Sequence, residues 1–381
     1  MKNFMYYMPT RIFFGAGSVA KLARARLPEG PGLIITGGTS TTKLGYVGKV
    51  AAALGEGGHE TFVYTGVTPN PTIETVRECA ALAREKGCSF VVGLGGGSAI
   101  DTAKAAACMA TNDGDWWDYV YGGSGGGQRM KKQPLPIVAV TTTAGTGTEA
   151  DPWTVITNGV EKIGAGNDKT FPTIAVVDPD FMMTVPPRMT AFQGFDALFH
   201  ACEGYISAAA NPMTEMFSLQ AIELIGRSLA KAVQDGSDAE ARAEVALANT
   251  LAGFVESMSS LTASHALEHA LSGFHPNLPH GAGLILISLA YYKLAQPSCA
   301  EKCANMARAL GREDGDFLAA LAHLQAACGV SNLKMSEYGL NPERFAEYTD
   351  HAFSDMGGLF RADPAKPTRE DILKILEQSW S

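Results

Sequence analysis

The sequence predicts two domains: an α/β domain over residues 1–185, built on a parallel sheet covered by helices, and an all-helical domain over residues 186–381. Two observations predict this. Up to about residue 180, short apolar runs alternate with stretches of helical spacing, the pattern of strand–helix–strand units. From Pro187 onward Ala, Leu, Glu and Met dominate and strand-like runs become scarce. A chain of 381 residues has room for both.

Taken in order, KNFMYYMPTRIFF at the N-terminus is aromatic and β-rich, and an edge segment of that kind needs a partner. GLIIT (32–36) reads as a strand ending at Gly37-Gly38, and ETFVYTGV (60–67) as a second one followed by the turn TPNPT. A helical pattern runs through 80–86. SFVVGLGGGS is the next strand, with a helix from Ser98. YGGSGGGQRMKKQP (121–134) reads as a loop within the first domain. LPIVAVTTTAGTGTE and PTIAVVDP supply two more strands. Beyond the boundary, MTEMFSLQAIELIGRSLAKAV and AEARAEVALANTLAGFVESM have helical spacing.

Composition narrows the function. With 46% hydrophobic and 18% charged residues the chain reads as an ordinary soluble protein. Its net charge of −9 argues against nucleic acid as the main partner, because phosphate binding needs clustered Lys and Arg. The first ten residues lack the features of a signal peptide. The longest apolar run, GAGLILISLAYYKLA, is too short to span a bilayer, so no membrane partner is expected. Seven scattered cysteines without a CxxC pair suit reduced thiols in the cytoplasm.

Two motifs carry chemistry. In VVGLGGGSAIDTAKAAA (91–107), Gly95, Gly96 and Gly97 stand between a strand and a helix. Glycines there let a phosphate approach the unpaired N–H groups of the helix N-terminus. Ser98 is expected to cap that helix and Asp101 to sit in its first turn. A tight turn without a ligand gives the same run. TTTAGTGTEAD (141–151) also follows a strand, and two such loops at strand C-termini make a shared nucleotide cleft. In the second half, Asp196 and His200 stand four apart, as do His265 and His269, with His275 and His280 close behind. Five of the eight histidines fall between 200 and 280. Carboxylate and imidazole grouped in this way point to a divalent metal held by Asp196, His200 and two of the four later histidines. Spacing does not choose between His265 and His269. His59, His323 and His351 stand alone and are read as ordinary histidines.

Together these segments resemble the iron-containing (group III) alcohol dehydrogenase family, nearest its butanol-dehydrogenase-like members. PTRIFFGAGSVAKL, VTPNPT, GGGSAIDTAK, TTTAGTGTE, GFDALFHACEGY and HALEHALSGF…LPHGAG occur in the family's order almost end to end. The resemblance implies a Rossmann-like dinucleotide-binding domain followed by a helical metal-binding domain, the dehydroquinate synthase-like fold, with the active site in the cleft. It implies Asp196, His200, His265 and His280 as ligands of Fe2+, a nitrogen and oxygen set that accepts Zn2+ as well. His269 then stands near the nicotinamide as a proton relay. Gly95, Gly96, Gly97 and Ser98 match the pyrophosphate loop, with Asn70 and Asp101 also on the cofactor side. Thr141, Thr142, Gly145, Thr146 and Thr148 match the second cofactor loop, and Lys162 a cofactor-side lysine. The reaction implied is hydride transfer between NAD(P)(H) and a small primary alcohol or aldehyde.

NAD-using relatives carry an acid seven residues before a glycine matching Gly45; that position is Gly38 here. With Thr39, Ser40 and Lys43 beside it, the loop offers donors to a 2′-phosphate, so NADP(H) is expected to be preferred over NAD(H). Family members pair through the N-terminal segment, which implies a homodimer; a strand packed within its own chain is the alternative. The rival chemistry is a metal- and NAD-dependent lyase or cyclase of the dehydroquinate synthase type. That chemistry needs basic residues for a phosphorylated substrate. Phe192, Phe195, Phe199, Phe254 and Phe274 stand near the metal segments instead and favour a fairly apolar substrate. The sequence departs from the family at two places. The His265–His280 interval is one residue longer than in some members, with His275 inside it, and Asp151 stands where some members have Thr.

Overall fold

The computed structural model describes residues 3–381; Met1 and Lys2 of the N-terminal stretch lie outside them. Strands β1 (Arg11–Phe14), β2 (Gly32–Gly37), β3 (Thr61–Val67), β4 (Phe90–Gly95), β5 (Ile137–Thr141), β6 (Thr154–Asn158), β7 (Glu161–Ala165) and β8 (Ile174–Val177) appear in that order. Between them lie α1 (Ser40–Lys43), α2 (Tyr46–Glu56), α3 (Ile73–Glu85) and α4 (Gly97–Thr111). Six strands form one parallel sheet in the order β1-β8-β5-β4-β2-β3. β4, β5 and β8 are buried along their whole length, which is why they read as continuous apolar runs. One face packs Ile34, Phe90 and Val92 against α2 through Tyr46, Val50 and Leu54. The other packs Leu33, Ile35 and Val91 against α3 and α4 through Val76, Ala103 and Ala107.

Strand order sets where a ligand can go. The chain runs from β2 outward to β3, then returns to place β4 on the other side of β2. Order reverses between β2 and β4, and ligands of open α/β sheets bind outside the strand C-termini at such a point. The loops opening there are Gly37–Gly38 after β2 and Gly95–Gly97 after β4.

The sheet corrects several expectations. α3 begins at Ile73, well before the pattern noted at 80–86. α4 is capped by Gly96 with no side-chain cap hydrogen bond, so Ser98 is its second residue and not its cap. Asp101 lies beyond the first turn, buried, accepting from Thr148 Oγ1 at 2.6 Å and from the Val155 amide at 3.0 Å. It ties two segments together and caps nothing. β6 and β7, not anticipated, form an antiparallel hairpin. Its turn puts Gly159 at φ +64° in the first central position, where a II′ turn takes glycine. Among the described residues of the N-terminal stretch, only Arg11–Phe14 is strand, and it pairs with β8 of its own chain.

The second half is helical: α5 (Pro187–Ile206), α6 (Pro212–Gln234), α7 (Ala239–Met258), α8 (Ala263–Phe274), α9 (His280–Ala295), α10 (Ala300–Ala309), α11 (Phe317–Ala327), α12 (Phe345–Ala362) and α13 (Arg369–Ser379). They enclose one core running from Phe195 and Leu198 of α5 through Ile225, Leu267 and Leu284 to Ile375. α5 packs on α6, α7 and α9, and α8 packs on α9 and α12. This arrangement brings the histidine-bearing faces of α5, α8 and α9 together. Among the described residues no helix is long and apolar enough to cross a membrane.

Candidate active site

Asp196 and His200 lie one turn apart on α5, so helical geometry alone puts them on one face. α8 presents His265, and α9 opens with His280 as its first residue. One donor atom from each of Asp196, His200, His265 and His280 lies within 4.8 Å of all the others. Asp196 Oδ1 stands 3.4 Å from His280 Nε2 and 3.8 Å from His265 Nε2. Both Asp196 Oδ1 and His265 Nε2 are buried without a hydrogen-bond partner. Burying two such atoms face to face is costly unless something between them accepts both lone pairs. A divalent cation does so, and the donor set fits one.

Each imidazole is aimed by an oxygen behind it. His200 Nδ1 meets the Gly145 carbonyl at 3.2 Å, His265 Nδ1 meets Glu203 Oε1 at 2.7 Å, and His280 Nδ1 meets Glu268 Oε2. His269 Nδ1 meets the Lys162 carbonyl at 3.2 Å. An N–H donated from Nδ1 leaves Nε2 with a free lone pair, the usual way a protein fixes a ligating tautomer. Glu203 is held in turn by the Thr262 amide at 2.9 Å and its hydroxyl at 2.7 Å. Burial alone pushes the Asp196 carboxyl up, but His200, His280 and His265 outweigh it and hold it at about 2. Burial depresses His200 despite Asp196 beside it. At His265 burial works downward, but Glu203 and Asp196 overcome it and raise the imidazole to about 9, so a cation taken up at Nε2 displaces a proton that these carboxylates favour there. Burial and the Lys162 ammonium push His269 and His280 well below the ordinary range.

His200, His265, His269 and His280 line a cavity of about 690 Å³, with Asp196 behind them, and its other walls include Asn70, Gly97, Ser98, Asp101, Thr146, Thr148 and Lys162. The three expected histidine ligands, His269 and seven of the expected cofactor residues therefore meet in one space, while Asp196, Gly38, Thr39, Ser40, Gly95, Gly96, Thr141, Thr142 and Gly145 lie outside its wall. Asn70 holds φ +51°, a conformation asparagine tolerates, and its Nδ2 donates to the Pro276 carbonyl at 3.1 Å. Gly95 adopts φ +150°, and a Cβ on Gly96 or Gly97 would meet Thr143 or Thr146 at 3.0 and 2.6 Å. Those glycines thus also let the two loops pack on each other. The Thr142 amide donates to the Gly95 carbonyl, and Thr141 Oγ1 turns back to the Thr143 carbonyl. Gly145 serves the histidine cluster: besides orienting His200, it packs tightly, with a Cβ there standing 3.0 Å from Gln193 and 3.2 Å from Asp196 Oδ2. Gly38, Thr39 and Ser40 lie at the C-terminal end of β2, and Gly38 faces open space at φ +61°.

Several residues stand elsewhere than their spacing suggested. His275 turns away from the cluster, its Nε2 2.6 Å from the Tyr348 hydroxyl, which assigns the longer interval to a structural contact. Lys162 sits at the cluster itself, with Nζ 2.8 Å from Ser272 Oγ and 3.5 Å from Glu268 Oε2. Phe192, Phe195 and Phe199 pack into the helical core, Phe254 meets Phe217 and Phe274 meets Tyr348. None of the five lines the cavity. Sequence reading passed over Glu203, Glu268, Lys104 and Glu256. A signal existed for the first two: Asp196, His200 and Glu203 repeat at i, i+4 and i+7, and His265, Glu268 and Ser272 at i, i+3 and i+7.

Residues 9–179 match the family model described as iron-containing alcohol dehydrogenase, and residues 190–380 match that of the Fe-containing alcohol dehydrogenase family, C-terminal. The chain belongs to the iron-containing alcohol dehydrogenase family. The enzyme is 33% identical to alcohol dehydrogenase 4 of Schizosaccharomyces pombe, over 98% of its own length and 88% of that protein's. It is 35% identical to 1,3-propanediol dehydrogenase of Citrobacter freundii, over 100% and 99%. An archaeal halo-thermophilic alcohol dehydrogenase from a Red Sea brine pool superposes with a TM-score of 0.94 at 31% identity, covering 100% of this chain and 99% of that one. NADH-dependent butanol dehydrogenase A of Thermotoga maritima superposes at 0.88 with 27% identity, covering 100% and 99%. The enzyme is an oxidoreductase that moves hydride between a nicotinamide cofactor and an alcohol or aldehyde. A lyase or cyclase is not favoured, since these relatives and a Bacillus methanolicus methanol dehydrogenase are all alcohol oxidoreductases.

Proposed function

We propose that the enzyme is an iron-dependent dehydrogenase of small primary alcohols that prefers NADP(H), with Asp196, His200, His265 and His280 as the metal ligands and His269 as the proton-handling residue. The observation that carries this reading is the convergence of the four donors on one another, with His200, His265 and His280 in the wall of the cavity that Gly97, Thr146 and Thr148 also line. A bound divalent ion supplies Lewis acidity toward a substrate oxygen. The chain's own part is to hold and orient. Gly95, Gly96, Gly97 and Ser98 take the pyrophosphate, and Thr141, Thr142, Gly145, Thr146 and Thr148, with Asn70 and Asp101, take the rest of the dinucleotide. His269, neutral and uncommitted at Nε2, passes the alcohol proton toward solvent. Nitrogen and oxygen donors accept Zn2+ in place of Fe2+.

The open space around Gly38, with Thr39, Ser40 and Lys43 beside it, supports NADP(H) over NAD(H). The junction between domains is proposed at 185/186, between the end of β8 at Val177 and the start of α5 at Pro187. The seven cysteines, all free, support a cytoplasmic setting, and the open edge of β1 supports a homodimer.

The test is steady-state turnover of butanol and butyraldehyde, followed at the NAD(P)H absorbance alongside metal analysis. Metal-dependent hydride transfer is expected, with kcat/KM higher for NADP(H) and shifted toward NAD(H) in Gly38→Asp. A tenfold wild-type preference for NAD(H) would reverse the reading of the β2 loop. His269→Ala should keep its metal and lose about 100- to 10,000-fold in turnover; metal loss in that variant would make His269 a ligand.

A further inference from the structure

Two cysteines meet at the start of α10, outside the cavity and unused by the chemistry above. Cys299 Sγ and Cys303 Sγ stand 3.6 Å apart, and the Cys303 amide donates to the Cys299 carbonyl at 3.0 Å. Four residues along a helix separate two Cα atoms by about 6 Å, inside the ~4.4–6.8 Å that a disulfide spans. Cys299 is the N-cap, with φ −146° and ψ 40°, so the helix does not dictate where its side chain points. The helix itself is held: Lys302 Nζ donates to the Tyr205 carbonyl at 2.6 Å, and Asn305 Nδ2 to the Tyr205 hydroxyl at 3.1 Å. Closing the two sulfurs therefore moves the N-cap toward the first turn and leaves α10 on α5. Among the described residues no third histidine, cysteine or carboxylate joins the pair to complete a metal site.

The two thiols are unequal. Cys299 is half-buried, while Cys303 is 1% exposed and packs into the helical core. The Cys303 S–H donates to Cys299 and holds that thiol below its ordinary range, against burial and Asp363, with the Lys302 ammonium adding to the effect. The same bond, and then burial, raises Cys303. Cys79, Cys88, Cys108, Cys202 and Cys328 are buried, and burial raises each of them. The nucleophilic thiolate is thus found at Cys299, with a second sulfur directly behind it.

We propose that Cys299 and Cys303 form a redox-modification site that reacts with low-molecular-weight disulfides, Cys299 as the entry thiol and Cys303 as the resolving one. The Cys299 thiolate attacks one sulfur of the small disulfide RSSR, forms a mixed disulfide and releases RS−. Cys303 then gives up its proton, which RS− takes, and its sulfur attacks Cys299 Sγ. The mixed disulfide breaks, a second RS− leaves, and a Cys299–Cys303 bond remains. The two protein sulfurs lose two electrons, and the small disulfide gains them as it becomes two thiols. In a reducing compartment the pair stays open and closes when small disulfides accumulate.

The test treats the metal-loaded enzyme with oxidised glutathione, alkylates it in denaturant and maps the cysteines by peptide mass. Cys299 and Cys303 should both escape alkylation, their joined peptides lighter by two hydrogens, and both should become free again after dithiothreitol. Cys299 should react about tenfold faster than any of the other five cysteines. Cys303→Ser should stop at a glutathione adduct on Cys299, and Cys299→Ser should leave Cys303 unmodified; the metal content of each variant shows that it folds. Phenylarsine oxide, which bridges paired thiols, should be taken up by wild type and by neither variant, and its uptake by wild type tests the pairing even where a variant does not fold. Both cysteines still free after oxidation, a lasting adduct on Cys299 in wild type, another cysteine reacting as fast, or a wild type that takes up no arsenical would each overturn the inference.

Discussion

His275 and His280 stand five residues apart, and only His280 faces Asp196. Spacing could not separate them, because the interval between α8 and α9 is irregular and either histidine could be turned inward. Replacing His280 with Ala should remove bound metal and turnover together, read by metal analysis and NAD(P)H absorbance. His275→Ala should keep its metal and lose only the hydrogen bond to Tyr348, about 1 kcal/mol of stability in a denaturant melt. Metal retained in the first variant and lost in the second would reverse the assignment. Behind the proposed ligands, Glu203 fixes His265 through a 2.7 Å contact. Glu203→Gln keeps the shape but replaces a charged acceptor with a neutral amide that can turn its NH2 toward the ring. A 10- to 100-fold loss of metal affinity is expected, the usual effect of removing such a support. Unchanged affinity in a competition titration with a chelator would show that the helix alone orients His265.

Between α7 and the loop after β5 the two halves of the molecule are stitched together. The Gly147 amide donates to Asn249 Oδ1 at 2.8 Å, and Glu149 Oε1 accepts from Asn249 Nδ2 and Thr250 Oγ1, both at 2.9 Å. Burial raises the Glu149 carboxyl to about 7 against the hydrogen bonds that favour its charge. Between pH 4.5 and 7 the folded chain therefore binds more protons at this site than the unfolded one. The stability it contributes is complete below pH 4.5 and lost as pH climbs to 7. Glu149→Gln has no such titration, so relative to wild type it should gain roughly 3 kcal/mol on going from pH 4.5 to 8, at about 1.4 kcal/mol per pKa unit. Urea melts at both pH values check this, and a difference that does not change with pH would sink it. Such ties are hard to read in sequence, since Glu149 and Asn249 are a hundred residues apart. The parallel strands were legible because burial on both faces leaves continuous apolar runs. The β6–β7 hairpin was not, although Asn158-Gly159 carried a turn signal, because its strands are short and half-polar. The cap of α4 was misread for another reason. Serine is the stronger capping residue in general, but here the tight approach of Thr143 and Thr146 requires glycine at the helix start.

At the scale of the whole molecule, the sheet ends on a strand that is paired on one side only. β1 bonds to β8, and its other edge is open within the chain. The residues leading into it cross from the sheet to the helical half: Tyr7 meets Phe171, Tyr6 meets Phe217, and the Tyr7 amide reaches Met258 Sδ. That route turns other apolar side chains outward, with Phe4 43%, Met5 71% and Phe14 41% exposed. An open strand edge flanked by exposed apolar side chains invites pairing with another chain, and a second copy carries the same surface, as a two-fold dimer requires. Light scattering at micromolar concentration should therefore give twice the chain mass. Met5→Asp combined with Phe14→Asp puts like charges where two copies would meet, and should shift the population toward single chains while leaving the histidine cluster in place. The metal content of the variant separates lost pairing from lost folding. A monomeric wild type would remove the dimer, and a variant as dimeric as wild type would move the interface away from β1.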